Sequence, residues 1–264
     1  MASPRPIALT IAGSDSGGGA GIQADLKTFQ AFGVFGTSAI TAITAQNTEG
    51  VTAVHAVPLD VVRAQIDAVV TDLPPAAVKT GMLATAGLVK AVAAAIRDHH
   101  LTAYVLDPVM VSTSGHRLLD AKAESTLARE LLPLSALVTP NLHEARILTG
   151  RMVESLQDMK WAARSLVDMG AGAALVKGGH LEGDAVDFFW DGTDEYLWRK
   201  PRLNTRHTHG TGCTLSAAVA AGMALGRTRT EAARKAVHWV AHAIATAPGL
   251  GRGHGPVNHF YPAD

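Results

Sequence analysis

The stretch ALVTPNLHEARILTG, residues 136–150, contains the unit from which the fold of this chain can be inferred. Residues 136–139 form a short, apolar run with a β-branched residue, which predicts a buried strand. Pro140 and Asn141 follow, and Glu144 stands in the expected first turn of a helix, where the helix dipole favours a carboxylate. The stretch therefore predicts a strand that passes directly into a helix.

The same alternation continues on both sides of this unit. Further buried strands are predicted at residues 7–12, 34–45, 77–80, 103–107 and 173–177. Apolar residues at steps of three and four predict helices from Pro58 onward, over 156–169 with Gly170 as C-cap, and over 230–247. Segments 185–190 and 195–199 flank Asp191-Gly192 and predict a hairpin or edge meander. This pattern predicts an α/β fold, a mostly parallel central sheet with helices on both faces.

Composition excludes several classes of function. The 264 residues carry 23 basic and 23 acidic side chains without a basic block, so we expect no nucleic-acid partner. One cysteine cannot form an internal disulfide, which indicates a reducing, cytoplasmic location. The absence of a long apolar run argues against a membrane span. No linker or shift in composition divides the chain, which favours one domain over residues 1–264.

Polar residues and glycines follow nearly every predicted strand. An open parallel sheet binds its ligand at the carboxyl ends of its strands, so these residues should surround one site. They are Gly13-Ser14-Asp15, Gln46-Asn47, Thr80-Gly81-Met82, Asp107-Pro108, Thr139-Pro140-Asn141 and Lys177-Gly178-Gly179.

The segment NTRHTHGTGCT, residues 204–214, leads into an apolar helix predicted over 215–225. Gly210 and Gly212 at a helix start allow backbone N–H groups to converge on an anion, which the helix dipole also favours. Cys213 would lie in the first turn, where the pKa of a thiol can fall from about 8.5 toward roughly 3.5–7.5. Such a thiol could take a proton from a substrate hydroxyl while the N–H groups hold a phosphoryl group. The alternative is a buried, inert cysteine behind an ordinary helix start.

The glycine-rich stretch GSDSGGGAG, residues 13–21, also joins a predicted strand to a helix. It lacks the last glycine of a dinucleotide fingerprint, because Ile22 stands there, and it lacks the Gly-Lys-Ser/Thr ending of a Walker A loop. We interpret it either as a flexible turn or as backbone that wraps around a small substrate.

A magnesium network is suggested by Asp107, Asn141 and Glu144, because Mg²⁺ prefers oxygen ligands. Lys177, between a strand and two glycines, could meet a polyphosphate as a point charge. Alternatively, Asp107 is a turn residue before Pro108, Glu144 is placed by the helix dipole, and Lys177 is a solvated strand end.

Two further features carry weaker predictions. His207 and His209 alternate, but no cysteine or carboxylate cluster completes a zinc set around them. The glycine-rich tail 249–256 is interpreted either as a flap on the nucleotide side or as a frayed terminus.

The order of these motifs resembles the hydroxymethylpyrimidine/phosphomethylpyrimidine kinases of thiamin biosynthesis, which belong to the ribokinase-like superfamily. The resemblance spans essentially the whole chain. Its segments are AGSDSGGGAGIQADLK (12–27), TAQNT (44–48), KTGML (79–83), DPVM (107–110), TPNLHEA (139–145), KGG (177–179), HTHGTGCT (207–214) and GHGPVN (253–258).

The resemblance implies a ribokinase-like three-layer sandwich that uses ATP and Mg²⁺ and forms a homodimer. It implies that one site phosphorylates 4-amino-5-hydroxymethyl-2-methylpyrimidine and then its monophosphate. In the implied site, Gln46 bonds the aminopyrimidine edge, and the pocket around the ring is lined by Gly13, Asp25 and Met82. Asp107 and Glu144 bind Mg²⁺ together with Asn141, and Lys177 binds the ATP phosphates. The anion hole is formed by Gly210, Thr211 and Gly212, and Cys213 acts as the base. Many relatives in the wider sugar-kinase group have Asp where Cys213 stands, which leaves the strength of the base open.

Two rival functions remain. A pyridoxal or pyridoxine kinase on the same scaffold would also phosphorylate a hydroxymethyl arm. A non-catalytic vitamin-binding protein could keep the fold, but it would have no use for the combination of Asp107, Glu144, Lys177 and Cys213.

Overall fold

The structure is a computed structural model that describes residues 5–110, 119, 121–179 and 183–263. Strands and helices alternate along the chain. The strands are β1 (Ile7–Asp15), β2 (Phe35–Gln46), β3 (Val51–Ala56), β4 (Ala77–Thr80), β5 (Tyr104–Leu106), β6 (Leu137–Val138), β7 (Ala174–Lys177), β8 (Ala185–Trp190) and β9 (Glu195–Lys200). The helices are α1 (Gly21–Ala31), α2 (Leu59–Asp72), α3 (Ala86–Asp98), α4 (Ala121–Glu130), α5 (Leu142–Thr149), α6 (Leu156–Asp168), α7 (Thr211–Ala224) and α8 (Arg229–Ala245), with a short 3-10 helix at Leu132–Leu134.

The nine strands form one sheet in the order β3-β2-β1-β4-β5-β6-β7-β8-β9. The six strands from β2 to β7 in this order are parallel to one another, while β3 pairs antiparallel at one edge and β8 and β9 at the other. The predicted mostly parallel α/β fold is confirmed, and so is the hairpin of β8 and β9. Whether the chain behaves as one domain stays a prediction.

The helices cover both faces of the sheet. One buried apolar cluster packs α2 to α6 on one face, and a second cluster packs α1, α7 and α8 on the other. Ten of the fourteen residues of α7 are buried, so this helix lies in the middle of its layer. The result is three layers, as expected. None of the helices in the described part of the chain combines the length and the apolar character that a bilayer crossing requires.

Two strands differ from the sequence-based expectation in a way that matters for the site. β1 continues through Asp15 and β2 through Gln46, so Gly13, Asp15 and Gln46 belong to the strand ends and do not follow them.

The antiparallel strand β3 was not predicted. It is an edge strand that is exposed over nearly its whole length, so its sequence shows no alternation of apolar and polar residues.

The sheet has a switch point beside β1. The chain passes from β1 outward to β2 and β3 on one side, and then returns to place β4 on the other side of β1. Ligands of open α/β sheets bind at such a point, outside the carboxyl ends of the strands.

Candidate active site

Two helices begin next to each other at the carboxyl edge of the sheet. Gly210, the N-cap of α7, has φ 76°, a backbone conformation that favours glycine. A Cβ atom at Gly210 would overlap the carbonyl oxygen of Gly19, which lies just before α1. The first turns of α1 and α7 therefore approach backbone to backbone.

Cys213 is the third residue of α7 and remains partly exposed. Burial raises the pKa of its thiol to about 11; the charge of Lys79 and the N–H group of Gly21 act against this shift, and the carboxylates of Asp107 and Asp25 add to it. The expectation of a lowered thiol pKa is wrong, because the surrounding protein disfavours the thiolate more than the helix start stabilises it.

Lys177 joins the end of β7 to the acidic part of the site. Its ammonium nitrogen lies 3.5 Å from Asp107 Oδ1 and 3.9 Å from Glu144 Oε2. A Cβ atom at Gly212 would lie 3.3 Å from the same nitrogen, so the cation is beside the first turn of α7. The second oxygen of Asp107 accepts a hydrogen bond from Ser216 of α7 at 3.0 Å. The structure thus brings together the predicted cation, two carboxylates and the predicted anion hole.

Glu144 and Asn141 owe their positions to the start of α5. The Asn141 side chain accepts from the Glu144 N–H at 2.9 Å, and Glu144 Oε2 accepts from the Asn141 N–H at 2.8 Å, which is a capping box. Burial raises the pKa of Glu144 to about 7; Lys177 lowers it, and the neighbouring carboxylate of Asp107 raises it. This carboxyl group therefore changes its charge near neutral pH.

The pair of Asp107 and Glu144 has donor chemistry that suits a divalent cation. Both carboxyl groups are buried, face the same lysine and offer only oxygen ligands. Within the described residues, no group of three or more His, Cys, Asp and Glu side chains is placed to bind a metal. Mg²⁺ is commonly bound by one or two protein carboxylates together with phosphate oxygens and water.

The other side of the site lies at the ends of β1, β2 and β4. The terminal methyl group of Met82 lies directly on Gly13, where a Cβ atom would overlap it. The Gln46 side chain is 3.2 Å from Thr44 Oγ1 and 3.3 Å from His209 Nε2. Three of the residues expected around the substrate, Gly13, Gln46 and Met82, therefore occupy the switch point of the sheet.

Asp25 does not line the surface of the site. Its side chain is fully buried, and it accepts hydrogen bonds from Thr10 at 2.6 Å and from Lys79 at 2.9 Å. The expectation of a pocket-lining Asp25 needs this correction, because the carboxylate is enclosed with Lys79 and Thr10 and has no exposed surface. Asp25 can act on a ligand only through the groups that it holds.

Three residues of the site have a structural role that the sequence analysis does not assign to them, although Asp15 is among the residues expected to surround the site. Lys79 lies inside an apolar strand, where a charge is costly unless paired, and that cost was the available signal. Asp15 accepts hydrogen bonds from the N–H groups of Gly17, Gly19 and Ala20 and so shapes the glycine-rich turn.

His209 is the third of these residues, and its partner is Asp15, at 2.9 Å. Only the weak possibility of a metal ligand had been considered for it. The two positions are separated by 194 residues, so no local sequence pattern could pair them.

The glycine-rich tail packs on the same side as Gln46. The His254 N–H donates to the Thr48 carbonyl at 2.8 Å, and the Gly255 carbonyl accepts from the His209 N–H at 3.1 Å. The tail is therefore packed and not a frayed terminus, and its role as a flap on the nucleotide side stays a prediction.

Comparison with known proteins gives matches over nearly the whole chain. The family model of phosphomethylpyrimidine kinase matches residues 15–258. A hydroxymethylpyrimidine/phosphomethylpyrimidine kinase of Rhizobium meliloti is 54% identical over 97% of this chain and 97% of its own length. The crystal structure of a phosphomethylpyrimidine kinase from Clostridium difficile is 41% identical, with a TM-score of 0.82 over 91% of this chain and 100% of that one. The ADP complex of a Bacillus subtilis pyridoxal kinase is 38% identical, with a TM-score of 0.91 over 97% of this chain and 98% of that one. The two structures confirm the predicted fold class.

Proposed function

The chain belongs to the phosphomethylpyrimidine kinase family, and we propose that it transfers the γ-phosphoryl group of ATP to 4-amino-5-hydroxymethyl-2-methylpyrimidine and then to the resulting monophosphate. Both transfers use the site at the carboxyl edge of the sheet, and the diphosphate product serves thiamin biosynthesis.

The observation that carries this proposal is the position of Lys177 between two carboxylates and the start of α7. A phosphoryl group in transfer carries negative charge on its peripheral oxygens, and catalysis consists mainly of holding that charge in place. A cation, a helix N-terminus and a carboxylate pair suited to Mg²⁺ are the parts that such a reaction needs. A protein that only bound a vitamin would have no need of them.

Each group then has a role that follows from its position. The N–H groups of residues 210–212 hold the oxygens of the moving phosphoryl group, and the dipole of α7 adds to their effect. Lys177 binds the phosphates of the nucleotide as a point charge. Asp107, Glu144 and Asn141 would hold Mg²⁺, which would neutralise further phosphate charge when bound.

Cys213 is proposed as the proton acceptor for the first transfer. A hydroxyl group must lose its proton when it attacks, whereas a phosphate monoester is largely ionised at neutral pH because its second pKa is about 6. Only the first transfer therefore needs a base, and the raised pKa of Cys213 makes the thiolate the scarce form at neutral pH.

The ends of β1, β2 and β4 are proposed to hold the pyrimidine ring. Gln46 can pair with the aminopyrimidine edge, because its amide offers one donor and one acceptor side by side. Met82 and the backbone of Gly13 offer an apolar surface for the ring face. Asp25 supports this region from beneath, through Lys79 and Thr10.

A steady-state assay of ATP consumption with the pyrimidine, its monophosphate and pyridoxine tests the proposal. We expect turnover of the pyrimidine and of its monophosphate. We expect Gln46→Ala to bind the pyrimidine more weakly while its KM for ATP stays unchanged. A matched control is Gln65→Ala, since Gln65 bonds the backbone of Ile40 on the same strand β2. Turnover of pyridoxine alone would contradict the proposal.

Pyridoxal kinase activity is the second candidate, and a specific observation favours it. The Bacillus subtilis pyridoxal kinase superimposes on this chain with a TM-score of 0.91, so the scaffold accommodates both chemistries. Identity is higher to the Rhizobium meliloti enzyme, at 54% against 38%, which ranks the pyrimidine first.

We also propose that the protein is a cytoplasmic homodimer. Its single cysteine lies in the candidate active site, where a free thiol suits a reducing compartment. The edge strand β3 is exposed over nearly its whole length, and a second copy could cover it. Light scattering at micromolar concentration tests the dimer, and a monomeric mass would contradict it.

A further inference from the structure

The side-chain amide of Gln46 lies between two polar groups, Thr44 Oγ1 at 3.2 Å and His209 Nε2 at 3.3 Å. One end of an amide is an acceptor and the other is a donor, and the hydrogen-bond partners decide which end faces which neighbour. Oxygen toward Thr44 and nitrogen toward His209 is one of two possible orientations.

Thr44 favours the opposite orientation. Its hydroxyl group carries one proton, and that proton is directed to the carbonyl oxygen of Ser14 at 2.7 Å. Toward Gln46 the hydroxyl oxygen can therefore only accept. The end of the amide that faces Thr44 should be the nitrogen.

His209 independently favours the same orientation. Its Nε2 atom lies 2.9 Å from Asp15 Oδ2. Burial opposes ionisation of Asp15, but His209 and the N–H groups of Ala20 and Gly17 lower its pKa, so this carboxylate is an acceptor only. His209 Nε2 must then carry a proton, which is directed to Asp15, and a protonated ring nitrogen has no lone pair that could accept from the amide. The end of the amide that faces it should therefore be the oxygen.

We propose that Thr44 and His209, the latter held by Asp15, lock the Gln46 amide in a single orientation and thereby select the ring. The proposal rests on the proposed function, in which Gln46 pairs with the pyrimidine edge. A 4-aminopyrimidine presents a donor at its amino group and an acceptor at the adjacent ring nitrogen. The 4-oxo analogue presents the reverse, a carbonyl acceptor and a ring N–H donor. A free amide could rotate to suit either ring, whereas the locked amide suits one and leaves two polar groups unpaired with the other.

The test compares kcat/KM for 4-amino-5-hydroxymethyl-2-methylpyrimidine with kcat/KM for its 4-oxo analogue. In the double variant Thr44→Val, His209→Leu the amide can rotate, so the preference for the amino ring should fall at least about tenfold, with KM for ATP unchanged. Thr44→Val and His209→Leu each remove one of the two groups and should each lower the preference in part. His209→Gln keeps an N–H donor and should retain most of the preference. Thr52→Val is the matched control, because the Thr52 hydroxyl donates to the backbone carbonyl of Ala45.

A wild-type preference in both Thr44→Val and His209→Leu would overturn the proposal, and so would an equal loss in Thr52→Val. Failure of the proposed function has a different result. The wild-type protein would then phosphorylate neither ring, or Gln46→Ala would leave KM for the pyrimidine unchanged.

Discussion

The ammonium group of Lys79 lies 2.9 Å from both carboxylate oxygens of Asp25, and neither side chain is exposed to solvent. Thr10 donates to the same carboxylate at 2.6 Å, and Asp107 lies 4.0 Å from the same ammonium group. The pair joins α1, which starts beside the proposed anion hole, to β4, which ends under the proposed substrate side. It therefore forms the floor of the candidate active site.

Replacing Lys79 by Met should destabilise the fold by about 3–5 kcal/mol, because it leaves Asp25 buried without a cation. The double variant Lys79→Met, Asp25→Asn should recover much of this loss, since no charge is then unpaired. Urea unfolding followed by circular dichroism measures both. Arg97→Met is the matched control: Arg97 pairs with Glu130 at 2.9 Å at the surface, where a pair is worth about 0–1 kcal/mol. Equal losses at the two sites would contradict this prediction.

The layers of the fold could be predicted because periodicity is a local signal. The strands predicted at 77–80 and 173–177 agree with β4 and β7 to within one residue. The helix α7 begins at Thr211 and not at residue 215. Glycine has a low helix propensity, so the glycines at its start do not indicate a helix in the sequence. The strand β3 was missed, since pairing alone defines it.

The site was predictable only in part, for a different physical reason. Residues at the ends of strands could be assigned by the rule that parallel strands present ligands at their carboxyl edge. The pair of Asp15 and His209 depends on the approach of α1 and α7, and the pKa of Cys213 depends on burial and on charges from distant elements. Sequence spacing contains neither quantity.

Replacing Cys213 by Ala should slow the first phosphorylation about 100-fold or more and change the second little. The first step should also accelerate as pH rises from 7 toward 10, because the pKa of the thiol is raised to about 11 and the thiolate is the reactive form. Steady-state rates for both substrates across this pH range measure the effect, and the second step is the internal control. Equal losses in the two steps, or an unchanged pH profile in the variant, would exclude Cys213 as the base.

Glu144 should make stability depend on pH. An unfolded glutamate ionises near 4.5, whereas the pKa of Glu144 in the fold is about 7. Between these values the native state holds a proton that the unfolded chain has lost, so stability falls as pH rises from 4.5 to 7 and then levels off. The free energy of unfolding of wild type relative to Glu144→Gln should therefore drop by at most about 3 kcal/mol over this range.

The control for Glu144 is the second capping box of the chain. Glu231 occupies the same position at the start of α8, with Thr228 as N-cap, but it is exposed, and the N–H group and hydroxyl of Thr228 lower its pKa. Glu231→Gln should run parallel to wild type between pH 5 and 8, because a lowered pKa places the ionisation of Glu231 below that range and its contribution is lost only at lower pH. Urea unfolding of the three proteins between pH 5 and 8 distinguishes the cases, and parallel curves for wild type and Glu144→Gln would refute a raised pKa.

Gly210→Ala should abolish both phosphorylations and destabilise the fold, because two effects add at this position. A Cβ atom at φ 76° is strained by about 1 kcal/mol or more, and it would also overlap the carbonyl oxygen of Gly19. The matched control separates the two: Gly226 has φ 79°, but no atom lies within 4 Å of the Cβ position. Gly226→Ala should therefore lose only the strain and keep its activity. If unfolding curves and rates of the two variants coincided, the close approach of α1 and α7 would have no part in building the anion hole.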